Sequence, residues 1–190
     1  MSAVRKKSNE AKELLVDGGF EKATARDGGW AQEASVSGWK SDSVIETWGN
    51  GFYGIEASQG KKFAELDADH RMSNIYQDVQ TAAGVEYEFS FDYMKRPDSP
   101  TGSDTINVYW NGVKIGTVDP SNSSWSQASL KVTGTGGYDR IEFREDERDN
   151  DSYGGLIDNA SLKSTGRVEA QRAAEKAAAE KAAAEKAAAE

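Results

Sequence analysis

Asp158 and Asn159 interrupt an otherwise apolar run, Leu156-Ile157-Asp158-Asn159-Ala160-Ser161-Leu162. A carboxylate in such a strand is costly unless it is hydrogen-bonded or holds a cation. The run echoes Leu14-Leu15-Val16-Asp17-Gly18-Gly19-Phe20-Glu21, so the two stretches read as closing and opening strands. A second group consists of aromatic and charged residues at expected strand ends. Sugars are held by stacking their C–H faces on Trp or Tyr, while Arg, Asp and Glu grip paired hydroxyls. Arg96 follows the Phe89–Tyr93 strand and Arg144 ends the Arg140–Arg144 strand. If those ends coincide, Glu46, Trp48, Tyr53, Arg96, Arg144, Asp151 and Tyr153 form one ligand site. Sandwich cores use the same residue types. Trp39, Trp110 and Trp125 therefore read equally as core, and Trp48 with Tyr53 as either.

Other constellations compete. Asp92, Asn107, Tyr109, Glu142 and Arg144 alternate opposite the apolar side of their strands and offer a polar face, the usual solvated side of a one-sided sheet. Glu145, Asp146, Glu147, Asp149 and Asp151 crowd one loop and are a second option for holding a cation, but their spacing is not that of an EF-hand and a solvated loop is the better reading. Glu46, Glu65 and Glu142 supply carboxyls for glycoside hydrolysis, but no hydrolase signature accompanies them, so the chain reads as no enzyme.

Composition narrows the choices. The 190 residues contain no Cys and one His, His70, which excludes disulfides, thiolate metal sites and a Ser-His-Asp triad built elsewhere. Residues 14–165 hold 14 basic and 25 acidic side chains, a formal −11. Such a surface repels nucleic acid and anionic membranes and suits cations, basic partners or neutral sugars. No apolar run is long enough to span a bilayer, and no signal peptide is visible.

Three regions must position these residues. Residues 1–13 are polar and basic, a linker or short helix. Residues 14–163 alternate in Tyr87–Tyr93, Thr105–Trp110 and Arg140–Arg144, with turns at Asn111-Gly112, Gly134–Gly137 and Gly49–Gly51. Short strands at this spacing predict an antiparallel β-sandwich. Residues 164–190 become an Ala/Glu/Lys repeat of period five with no residue larger than Ala, Glu, Lys, Gln or Arg after Val168. That pattern predicts a single semi-rigid α-helix without a coiled-coil seam.

Three motifs appear in order: Asp17-Gly18-Gly19-Phe20-Glu21 with Gly38-Trp39; Ile45–Gly54 (IETWGNGFYG) with Phe63-Ala64-Glu65-Leu66-Asp67; and Ile75–Val79, Tyr87–Tyr93 and Leu156–Leu162. Together they resemble the galactose-binding-like jelly rolls of carbohydrate-binding modules, and more closely those of large bacterial RTX-type adhesins and related marine surface or phage proteins. The resemblance spans nearly all of 14–163. It implies an all-β jelly-roll sandwich and a structural Ca2+ held by Glu21, Glu65, Asp67 and Asp158 with backbone carbonyls. The alternative is that Glu21 and Asp158 satisfy buried N–H groups or pair with Lys or Arg. The expected function is a non-catalytic, calcium-stabilised module that binds a glycan or another surface ligand, outside the cell, at its surface or on a virion. The competing expectation is an assembly module of a virion appendage or adhesin stalk, joined into homo-oligomers by its terminal helices.

Overall fold

The computed structural model describes residues 11–68, 73–146 and 151–188. The expected lead-in at 1–10, His70, Glu147 and Asp149 lie outside the described residues. Ten strands follow in chain order: β1 Trp30–Val36, β2 Trp39–Gly49, β3 Lys62–Glu65, β4 Asn74–Gln80, β5 Glu86–Met94, β6 Ile106–Trp110, β7 Val113–Val118, β8 Ser126–Thr133, β9 Tyr138–Glu145 and β10 Leu156–Ser164. Helix α1, Arg167–Ala188, closes the described chain. All described pairings are antiparallel, in the order β7-β6-β9-β4-β2-β3-β10-β5-β8, with β1 added to β2.

This continuous ribbon folds over on itself into a sandwich. Phe143 of β9 lies 5.5 Å from Phe89 and 4.9 Å from Phe91 of β5, a strand five places away along the sheet. Alternation explains the contact. Tyr87, Phe89 and Phe91 share one face of β5 and are buried, as are Ile141 and Phe143 on β9. Trp39 completes the centre, fully buried and stacked on Phe20 at 5.2 Å.

Strand β2 makes the corner. Lys40 near its start pairs with Tyr76 of β4, while Glu46–Gly49 pair with Lys62–Glu65 of β3. Its second half therefore belongs to the other layer. The Asn111-Gly112 turn joins β6 to β7 with φ of 50° and 80°, the two positive angles a type I′ hairpin needs.

The opening stretch departs from expectation. Residues 14–21 form no strand, and Glu13 makes a single bridge to Lys163. Asp17 and Phe20 adopt φ of 52° and 57°, which breaks an extended ladder. Gly18 instead runs against β10 so tightly that a Cβ there would lie 1.9 Å from the Ala160 carbonyl oxygen. At the other end, α1 is a polar helix with Lys176–Glu180 and Lys181–Glu185 pairs at 3.9 and 3.8 Å. Its first turns rest on the β4–β5 connection, where Arg172 donates to the Ala83 carbonyl at 2.9 Å. Glu190, four residues after Lys186 in the same repeat, lies outside the described residues.

Candidate ligand-binding site

The corner in β2 gathers side chains from several strands at one end of the sandwich. The β1–β2 hairpin turns at Ser37-Gly38, both at positive φ, and sets Trp30 opposite Trp48 and Gln32 opposite Glu46. On the other side Glu46 faces Glu65 of β3. After β2, a tight 3-10 turn at Phe52–Gly54, with Tyr53 at φ 50°, folds the chain back over the strand. Tyr53 stacks on Trp48 at 5.4 Å and 21°, while Phe52 meets the same indole edge-on at 4.8 Å.

Arg96, just beyond β5, enters this aromatic group. Its guanidinium carbon sits 5.1 Å from Trp48, 5.4 Å from Tyr53 and 4.8 Å from Tyr153. Its Nη1 donates to Glu65 Oε1 at 2.6 Å and to the Ser152 carbonyl at 2.9 Å, while Nε donates to Asp98 at 2.7 Å. The cation is thus positioned by rings, carboxylates and a carbonyl together. Burial drives Glu65 well above the usual carboxylate range, and its hydrogen bond with Glu46 adds to this, against the downward pull of Arg96. The Arg96 guanidinium is held above even its ordinary value because its hydrogen bonds and ion pairs with Asp98 and Glu65 outweigh burial. The Gly154 N–H also donates to Glu65 Oε1, at 3.2 Å, from a backbone that passes close to β3.

The result is an open cavity of about 330 Å³, with Trp30 and Tyr53 half-exposed at its mouth (54% and 53%) and Trp48 buried beneath at 1%. A neighbouring cavity of about 320 Å³ shares the Tyr53 wall and includes Trp125. The two cavities meet at the Tyr53 ring, which lines both.

Of the expected ligand residues, Glu46, Trp48, Tyr53 and Arg96 line the cavity. Tyr153 stacks on Arg96, and Asp151 adjoins Ser152, which forms part of the wall. Arg144 does not join them. Phe143 points into the core, so Arg144 faces the other way on β9, where it lies 4.1 Å over Tyr109 and donates to Glu142 at 2.9 Å. The polar face considered as an alternative also divides. Asn107, Tyr109, Glu142 and Arg144 share β6 and β9, whereas Asp92 on β5 accepts from Asn159 and Gln127. Trp30, Gln32 and Ser152 were absent from the sequence-based set. The signal for the first two was register: a turn at Ser37-Gly38 fixes which β1 residues oppose Glu46 and Trp48.

The four expected calcium ligands occupy different places. Glu65 is committed to Arg96 in the cavity, and Asp67 lines the same cavity while accepting from the Asp151 and Ser152 N–H groups. Glu21 and Asp158 flank Gly19, where an added Cβ would stand 3.6 Å from Asp158 Oδ1, 3.7 Å from Glu21 Cγ and 3.8 Å from Gln59 Oε1. Glu21 Oε1 accepts the N–H groups of Lys61 (2.8 Å) and Lys62 (3.0 Å), the backbone-satisfying role set against a metal above. Asp158 is completely buried and accepts from Gln59 N at 2.9 Å and Asn159 N at 2.6 Å. Burial, with the Glu21 charge adding to it, pushes its carboxyl up to about 7. Buried acidity beside a second carboxylate and an amide oxygen is a donor set that fits a hard cation.

No protein-family profile matches the chain. Over 171 residues it is 30% identical to a multifunctional-autoprocessing repeats-in-toxin protein of Vibrio vulnificus, covering 88% of this chain and 3% of that protein. A counterpart from Vibrio cholerae serotype O1 is 31% identical over 173 residues, covering 90% and 4%. The chain thus spans 3–4% of the length of these curated relatives. Among solved structures, the CBM22-1 xylan-binding domain of Paenibacillus barcinonensis Xyn10C superposes with a TM-score of 0.51 at 13% identity, over 81% of this chain and 95% of that one. At that identity the likeness is one of fold: the chain shares the antiparallel jelly-roll sandwich of that domain.

Proposed function

We propose that this jelly roll is a non-catalytic recognition module that binds a glycan in the two cavities that meet at Tyr53. The observation carrying the reading is the fixed Arg96, held by three aromatic rings and two carboxylates below two half-exposed aromatics. Trp30 and Tyr53 supply apolar faces for sugar C–H groups. Glu46, Gln32 and the rim of Arg96 supply acceptors and donors for hydroxyls. The shared Tyr53 wall between two cavities of similar size favours a ligand of more than one sugar ring. The net negative surface agrees with a neutral ligand.

Hydrolysis is disfavoured by geometry. Glu46 and Glu65 are direct cross-strand neighbours and Glu65 is tied to Arg96 at 2.6 Å, so the two do not stand apart on either side of a ligand as the carboxyls of glycosidases do. The relatives support an extracellular setting within a larger repeats-in-toxin-type protein, with adhesion to a surface glycan as the role of this module. Assembly through the termini is less favoured, because α1 presents only small and polar side chains beyond Val168 and so lacks a seam.

The fold resemblance also implies Ca2+, and Glu21, Asp158 and Gln59 would hold it. A bound cation there would neutralise two carboxylates and tie the 17–21 turn to β10. In this reading it stabilises the scaffold and takes no part in ligand contact. The test is a glycan panel with calcium present, followed by titration of the best binder with Tyr53→Ala. Tyr53 is half-exposed, so the variant should fold and lose at least tenfold in affinity. Unchanged affinity would overturn the reading.

A further inference from the structure

We infer that Asp67, Glu145 and Asp151 form a second divalent-cation site, apart from Glu21 and Asp158, between the β3 end and the loop that enters β10. One carboxylate oxygen from each residue lies within 4.8 Å of the other two. Two oxygens on opposite sides of one Ca2+ stand about 4.6–5.2 Å apart, since each bond is about 2.3–2.6 Å. Three oxygens no farther apart than this share a centre within about 2.8 Å of each, so a single ion reaches all three after a small inward shift of the side chains.

An independent observation concerns Asp67. The residue is 1% exposed; its Oδ2 accepts the N–H groups of Asp151 (2.8 Å) and Ser152 (2.5 Å), while its Oδ1 is buried and, among the described residues, finds no donor apart from the Glu145 carboxyl it faces. A buried carboxylate oxygen left without a donor costs about 1–3 kcal/mol or more, so sequences rarely retain one without a partner. Glu145 is also buried, at 4%, and its carboxyl lies against that of Asp67. Asp151 is anchored by its own contacts, accepting from Ser103 Oγ at 2.8 Å and Tyr153 N at 3.0 Å. Three hard oxygen donors, with no thiolate or imidazole among them, select Ca2+ or Mg2+ over zinc.

The site would also bear on the cavity. Ser152 lines it and its carbonyl accepts from Arg96, so an ion on Asp67 and Asp151 fixes one wall. That consequence rests on the glycan-binding reading; the ion itself does not.

The experiment is calorimetric titration of the chelated full chain with CaCl2 alone. Wild type should take up two ions per chain. Asp67→Asn and Glu145→Gln should each lose one ion and keep the other, whereas Asp158→Asn should lose the complementary one. A single ion lost in Asp67→Asn but kept in Asp158→Asn would support this site and refute the scaffold site. Full stoichiometry in both Asp67→Asn and Glu145→Gln would overturn the inference, as would no uptake, which would mean that Asp67 and Glu145 share a proton instead. If those variants lose their β-sheet dichroism, Asp151→Asn decides. It is half-buried and keeps its backbone N–H on Asp67, so loss of one ion supports the site and retention overturns it.

Discussion

Replacing Arg96 should be among the most damaging single changes in the domain. Its Nη1 lies 2.6 Å from Glu65, and the two side chains are 12% and 1% exposed, so this is a buried pair. Removing one partner of such a pair costs about 3–5 kcal/mol, because the other is left in a low-dielectric site. Domains of this kind are stable by about 5–15 kcal/mol, so Arg96→Ala should remove a large share. The cost should depend on pH with a definite sign. Glu65 is already held above its ordinary value by burial and Glu46, and loss of Arg96 removes a downward influence. With a raised folded value, stability is highest below the ordinary carboxylate range and falls as pH climbs toward that raised value. Urea unfolding of wild type and variant at pH 5 and pH 8 measures this directly. The variant should lose about 3 kcal/mol or more at pH 8 and clearly less at pH 5, and Glu65→Gln in the same background should restore at least about 1 kcal/mol. A loss below about 1 kcal/mol at pH 8, or one independent of pH, would refute the buried-pair argument.

Asp158 gives a second pH signature. Its carboxyl is raised to about 7 from an ordinary 3.8, so in chelator stability should fall as pH rises between about 4 and 7, by up to about 4 kcal/mol. Melts of chelated wild type and Asp158→Asn across that range test it, since the variant should lose most of the slope. Gly154→Ala would place a Cβ 1.7 Å from the Leu66 carbonyl oxygen, while Gly137→Ala meets nothing within 4 Å. Thermal unfolding should show a loss of about 3 kcal/mol or more for the first and within about 0.5 for the second. Truncation at Thr165 should leave the melting midpoint within a few degrees, because among the described residues the contacts of α1 with the sandwich are Arg172–Ala83 and the exposed Arg167–Glu86 pair.

Much of this architecture is legible in the sequence, because alternation is strong where one face packs the core. Tyr87–Tyr93 and Arg140–Arg144 fall inside β5 and β9, and Asn111-Gly112 turns the β6–β7 hairpin. The opening stretch misled because Leu14-Leu15-Val16 looks extended, yet Asp17 and Phe20 are left-handed and Gly18 packs against β10. Glu46, Trp48, Tyr53 and Arg96 were recognisable as charged and aromatic residues near strand ends. Arg144 was misplaced because a strand end does not reveal which face its last side chain takes; Phe143 decides that. Trp30 and Gln32 were hidden because β1 has no apolar alternation and only its register with β2 brings them to the cavity. Glu65 and Asp67 are two residues apart and looked like one ligand pair. The structure assigns Glu65 to Arg96 and Asp67 to the Asp151 loop.

The most direct test of the central claim is a glycan array probed with the calcium-loaded chain, with each positive measured again for Tyr53→Ala by titration. The account predicts binding to oligosaccharides of two or more rings that falls at least tenfold in the variant while its melting midpoint stays near wild type. Absence of binding across neutral glycans, or binding indifferent to Tyr53, would contradict it.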